Sequence, residues 1–294
     1  FLGYSVMLYT MQKEQHVMEA LGKTRVVIEG SKVIDVGKPV IEECPLAKKF
    51  AQPVTRLAPD QIKANVEWRI KSYGMFTKDR QVTSDDDFVV FGASELIASG
   101  ISAGVIDCAV IACDGAGTVL APTPQLVQGI GGRMSGLVST APVPEVISRI
   151  EQAGGHVLDK QTARLDQPGG AARAFALGYK RIAVTVAHAC DCASIRAAFP
   201  GALIFAVHLT GISKSDAEVF ADNADMISAC ASRWVRDVAG PRALLQCGSA
   251  IPVFAMTSLG KRLIAEKIVS TKQRMLIKNE RLPFCGGNDP KPLV

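Results

Sequence analysis

From about Ser84 onward two periodicities alternate, and this narrows the fold more than any other feature of the sequence. Short apolar-rich runs at 106–112, 181–187 and 203–207 are separated by segments with apolar residues at helical spacing. Runs of that kind suit strands covered on both faces, and strands alternating with helices imply βαβ units. The expected fold class is therefore α/β, a mostly parallel, Rossmann-like sheet flanked by helices. Helices are expected over 88–101, 145–152, 173–177, 193–198 and 214–222. The last is opened by Ser213-x-x-Asp216, a variant of the capping box. Further strands are expected at 225–228, 243–245 and 251–256.

The first part of the chain follows a different pattern. Two β-rich runs, 24–28 and 32–36, flank Glu29-Gly30-Ser31 and read as a hairpin, with Cys44-Pro45 after it. Ile62, Val66, Ile70 and Tyr73 then recur at helical spacing, with Pro59 suited to a first helical position. A hairpin and one helix cannot bury a core alone, so this module is expected to pack on the remainder. The expected divisions are a hairpin-and-helix module at 1–83, an α/β core at 84–268 and a basic arm containing glycine and proline at 269–294.

At 294 residues, with 48% hydrophobic and 21% charged, the composition excludes a disordered chain. No apolar run reaches the ~18 residues of a membrane span. Residues 1–11 are apolar but short, and they lack the basic start of a secretory signal. A cytoplasmic protein without membrane contact is expected. The net charge of +5 is local: seven basic and two acidic residues between Lys261 and Arg281 account for all of it. A neutral body with one basic segment argues against nucleic acid as a partner. That segment is either a solvated face and loose tail or a docking strip for another chain, including another copy of this one.

Eight cysteines are spread through a long, core-rich chain, which argues against a secreted disulfide framework. There is no C-x-x-C; the closest pair is Cys190 and Cys192. Most free cysteines behave as small buried hydrophobes, and Cys108, inside an apolar run, fits that description. Ligands of an open parallel sheet bind outside the carboxyl ends of its strands. Those ends deliver Cys113-Asp114-Gly115-Ala116-Gly117-Thr118, then His188, then His208 and Thr210, then Cys230, then Cys247 and Ser249.

Three chemistries fit this set. Thiolates from Cys44, Cys113 and Cys230 could converge on an iron–sulfur cluster or another metal. Alternatively, Gly115, Gly117, Thr118 and Thr210, with the strip through Gly131, Gly132, Arg133 and Ser135, could cradle a phosphate. Gly115-x-Gly117 begins a dinucleotide fingerprint, but Leu120 stands where its third small residue belongs, and there is no Walker motif. Lastly, Cys113 could be a nucleophile beside Asp114, with His188 or His208 as base.

The same segments resemble the methanogenesis marker protein 8 family. The resemblance is carried by Glu43-Cys44-Pro45-Leu46, the run from Cys113 to Thr118, the glycine strip at 126–139 and residues 179–185. Phe205-Ala-Val-His208, Thr210-Gly211-Ile212 and Ala229-Cys230-Ala231-Ser232 complete it, so that it spans about 16–268. The pair Cys190 and Cys192 has no counterpart in it. This resemblance implies an archaeal, strictly anaerobic cytoplasm. It further implies a role in assembling, activating or modifying methyl-coenzyme M reductase, the nickel enzyme of methane formation, with that enzyme or its activation machinery as partner. Reduced cysteines are ordinary in such a cell. Two functions stay open: an accessory protein carrying a metal or cluster, and a stand-alone enzyme binding a phosphate-bearing ligand.

Overall fold

In the computed structural model, which describes residues 14–134, 136–248 and 250–294, four strands form the parallel centre of a large sheet. They are β4 (Cys108–Cys113), β8 (Ile182–Val186), β9 (Leu203–Ala206) and β10 (Met226–Ser228). Both flanks are antiparallel: β5 (Gly117–Ala121) and β7 (His156–Val157) on one side, β12 (Val253–Ala255) and β11 (Leu245–Cys247) on the other. The order is β11-β12-β10-β9-β8-β4-β5-β7. The fold is thus mixed α/β, and parallel pairing is confined to the middle of the sheet.

The departure from a mostly parallel sheet has a local cause. β4 does not run into a helix. It turns back through Asp114, Gly115 and Ala116 to pair Cys113 with Gly117 and Ala109 with Ala121. Gly115 and Gly117 have φ of +78° and +72°, which a tight hairpin requires and other residues resist. The glycine pair that resembles the start of a nucleotide loop is a reverse turn.

Helices cover both faces of this sheet. α2 (Ala93–Ser102), α3 (Pro124–Gly131), α4 (Pro144–Gln152) and α9 (Ser258–Ser270) supply Leu96, Ile97, Leu126, Val127, Val146, Ile150, Leu263 and Ile264 to one apolar layer. α5 (Gln167–Ala176), α6 (Ala189–Ala198), α7 (Lys214–Asn223) and α8 (Arg233–Val238) supply Ala174, Ile195, Phe220 and Val235 to the other. The Ser213 hydroxyl caps α7 by accepting the Asp216 amide at 3.1 Å. α2 starts later than its apolar pattern suggests, because the Glu95 carboxylate accepts the amides of Phe88 (3.0 Å) and Val89 (3.2 Å), holding that stretch outside the helix.

A second, antiparallel sheet is built from β1 (Gln15–Ala20), β2 (Thr24–Glu29), β3 (Lys32–Val36) and β6 (Gly136–Ser139), in the order β3-β2-β1-β6. The expected hairpin is β2–β3. α1 (Pro59–Tyr73) opens with Pro59 and buries Ile62, Val66 and Ile70 against Met18, Val26 and Ile28. Burying each such side chain is worth roughly 1.5–3 kcal/mol. The fourth strand comes from far along the chain, so the module is completed only by the core it sits on. After α9 the chain is irregular, with Leu276 and Ile277 strongly exposed. It then docks. Phe284 exchanges hydrogen bonds with the Gln246 side chain (2.9 and 2.8 Å), Lys291 pairs with Glu43, and Val294 bonds Ala231 and Arg233. The end of the arm, expected to be either a loose tail or a docking strip for another chain, is here a strap held against its own chain. The expectations for residues 1–11, Ser135 and Ser249 lie outside the described residues.

Candidate functional site

The carboxyl ends of the parallel strands do not open onto a crevice; the small sheet lies over them. The Gly115 amide donates to Thr140 Oγ1 at 2.7 Å, and His16 Nδ1 shares the same hydroxyl at 2.6 Å. His208 Nε2 meets Glu19 Oε2 of β1 at 2.7 Å, and Ala231, just beyond β10, belongs to the small sheet's apolar core. Sequence periodicity locates the strand ends. It does not show the roof, which depends on β1 and β6 pairing across more than a hundred residues.

Cys113 and Asp114 are structural. Burial pushes the Cys113 thiol well up, the neighbouring Asp114 charge adds to this, and the sulfur leans on the Asp114 carbonyl at 3.3 Å. A thiol held protonated is a poor nucleophile and a poor metal ligand. The Asp114 carboxylate, fully buried, takes Arg80 Nε at 2.9 Å and the Phe76 amide at 2.6 Å. Arg80 in turn donates to the carbonyls of Gly129 (2.9 Å) and Ile130 (3.3 Å). The pair ties the segment after α1 to the β4–β5 turn and the end of α3.

The expected phosphate cradle is filled by protein. A Cβ on Gly117 would fall 2.2 Å from the Ala163 carbonyl oxygen, and one on Gly115 would press on Val143 at 3.1 Å. These glycines permit close packing of chain on chain, with no room for a ligand. The Thr118 hydroxyl is consumed by Gln167 and by the Asp166 amide, both at 2.8 Å. Gly131 ends α3 and Gly132 caps it, so this strip presents the carbonyl, negative end of a helix. Arg133 reaches Gln81 at 3.2 Å and lies over the Tyr73 ring at 4.2 Å. An anion nest at the strip is corrected accordingly.

What the structure does bring together is the set on the two adjacent strands β9 and β10. His208 and Cys230 lie just past the paired residues Ala206 and Ile227. Both have left-handed backbones, φ of +61° and +46°, uncommon for residues with a side chain. Strain of this sort collects at sites where a side chain must be aimed. The Thr210 hydroxyl accepts the Ala231 amide at 3.3 Å and joins the two loops. The His208 hydrogen bond holds the Glu19 carboxyl below the usual range, with Lys23 and His188 adding smaller charge effects in the same direction. Cys44 reaches this place from the N-terminal module. Burial raises its thiol pKa, and the neighbouring Cys230 contributes to the rise. Arg236 of α8 grips the loop by donating to the carbonyls of Cys230 and Ser232, each at 2.9 Å. Glu19, Lys23 and Arg236 carry no motif, and only the tertiary pairing reveals them.

Of the three thiols expected to share a metal, Cys113 stands apart from Cys230. β4 and β10 are three steps apart in the sheet, roughly 14 Å at about 4.8 Å per strand. One ion with ~2.3 Å bonds to sulfur cannot span Cys113 and Cys230. Among the described residues, no group of three or more His, Cys, Asp and Glu converges with ligand geometry. Cys44 and Cys230 are left as neighbouring thiols, Cys230 on the strand end next to the one that carries His208, whose imidazole is held by Glu19. No helix among the described residues is long and apolar enough to cross a membrane.

Known proteins of similar sequence cover the same span. The family model for an uncharacterized protein conserved in archaea (DUF2099) matches residues 16–269. The uncharacterized protein MJ0054 of Methanocaldococcus jannaschii is 43% identical over 284 residues, covering 96% of this chain and 100% of that protein. The match takes in the roof, the strand ends and nearly all of α9, and the chain belongs to this archaeal family.

Proposed function

We propose that this protein is an accessory factor of the methanogenesis marker 8 type. It acts in the assembly, activation or modification of methyl-coenzyme M reductase, through Cys230 and His208. The observation that carries the chemistry is the placement of a thiol and an imidazole on adjacent strand ends, both on left-handed backbone, with Glu19 bonded to the imidazole. A base oriented by a carboxylate beside a thiol is the arrangement that activates a cysteine. In this reading Glu19 fixes the ring and His208 takes the thiol proton. The physiological context is supported by the resemblance over 16–268 and agrees with a relative from Methanocaldococcus jannaschii.

Deleting the gene in a methane-forming archaeon and purifying the reductase without oxygen tests the role. Reductase from the deletion strain is expected to have lower specific activity or altered peptide masses. Cys113→Ala protein should restore it, whereas Cys230→Ser and His208→Gln proteins should not. Reductase of full activity and unchanged mass from the deletion strain would remove the proposed role. Restoration by Cys230→Ser would remove the thiol from it.

A further inference from the structure

Arg236 is a buried charge whose hydrogen-bonding capacity is only partly used. Its side chain is 3% exposed, and one nitrogen, Nη1, makes every hydrogen bond it has, to the carbonyls of Ala229, Cys230 and Ser232. Nε and Nη2 are buried without a hydrogen-bond partner. Those two atoms form the side-on edge of the guanidinium, the fork that matches the two oxygens of a carboxylate. Facing them is Asp289 of the strap, with Oδ1 at 3.5 Å from Nη2, too long for a full hydrogen bond, and itself buried without a partner. Both halves of a charge pair are present and attract one another, but neither fork nitrogen makes a full hydrogen bond.

We infer that Arg236 anchors a binding site for a carboxylate-bearing ligand, and that Asp289 fills it as an internal stand-in when no ligand is there. The chemistry follows from the fork: a free carboxylate can take Nε and Nη2 together, which Asp289, held back by its own segment, does not. The Asp289 side chain is 21% exposed, so the seat opens on the strap side. Gly286 and Gly287 precede Asp289, and Gly287 has a φ of +74° with open space around it, which gives the strap a place to bend. The seat adjoins Cys230, because the same guanidinium holds the Cys230 carbonyl. A ligand held there by its carboxylate would lie along the thiol loop. The inference does not depend on the reductase role, since its readout is binding by the purified chain.

The test uses the full-length protein, with succinate as probe and sodium chloride at equal ionic strength as reference. In the unaltered protein, succinate is expected to raise amide hydrogen exchange at Lys291 and Val294, whose bonds to Glu43 and Ala231 hold the strap, at least threefold over chloride. In Asp289→Asn protein, the succinate concentration giving half the thermal-shift response should fall about tenfold. Arg236→Lys keeps the charge but loses the fork, and should lose the response. Unchanged exchange in the unaltered protein, with no succinate-specific thermal shift in Asp289→Asn, would overturn the site. A response to phosphate in place of succinate would overturn the ligand class. An undiminished succinate response in Arg236→Lys would overturn the anchoring role of the fork.

Discussion

Asp114 and Arg80 meet with no side-chain exposure on either partner, which sets what each is worth. Removing one leaves the other as an uncompensated buried charge, so Asp114→Ala should cost about 3–5 kcal/mol in urea unfolding. Replacing both by apolar residues, Asp114→Leu with Arg80→Met, should recover only part of that loss, because the Phe76 amide and the Gly129 and Ile130 carbonyls lose their partners. His16 is a second buried group with a measurable signature. Burial lowers its pKa from the ordinary 6.5, partly offset by the Asp114 charge, so the unfolded chain takes up a proton more readily than the folded one. Stability must then fall as pH drops below about 6.5, and stop falling on this account once the folded imidazole protonates as well. Thermal midpoints between pH 8 and 5 should slope downward in the unaltered protein and be flatter in His16→Gln. Glu19 acts in a different window. Its lowered pKa stabilises the fold above the ordinary glutamate range, and that contribution is lost as pH falls through the lowered value.

Among the elements, β6 fixes how tightly the roof fits. A Cβ on Gly136 would stand 2.3 Å from His208 Nε2, the atom that meets Glu19. Gly136→Ala should therefore push the imidazole off its carboxylate and cost about 1–3 kcal/mol as overpacking. Carboxyl titration by NMR should show the Glu19 pKa moving back up toward its ordinary range. Elements with strong local signals were legible in the sequence: the β2–β3 hairpin about Gly30, α1 opening at Pro59, α7 capped by Ser213, and the apolar runs of β4, β8 and β9. β7, two residues long, and the six-residue α8 are too short to show a period. The glycines at 115 and 117 mislead for a physical reason. A glycine needed for a tight turn and one needed for approach to a phosphate look alike in sequence, and only the partner in space distinguishes them. For the same reason the site was legible only in part: His208, Thr210, Cys230 and Cys44 gather, whereas Cys113 and the strip at Gly131 serve the packing.

For the molecule as a whole, the small sheet and the large one share residues too closely to unfold apart. β6 lies between α3 and α4 in the chain yet pairs with β1, and Ala231 sits in the apolar core beneath α1. Calorimetry should show one transition, with near- and far-ultraviolet circular dichroism changing together. Residues 1–83 made alone should stay unfolded, because the strand that completes their sheet is missing. Two transitions, or a folded fragment, would show that the roof is an independent unit.

The pairing of Val17 with Ser139 also has a consequence during synthesis. A ribosome adding about 5–20 residues per second needs roughly 6–24 s to travel from one to the other, and longer to reach His208. Through that interval β1 has emerged with Met18 and its apolar neighbours and has one edge without its partner. An unpaired apolar edge is a template on which other nascent chains can pair. Crowded polysomes therefore expose this fold to error, and slowing elongation between the codons for Val36 and Gly136 should lower the yield of folded protein more than an equal delay after the codon for Thr140.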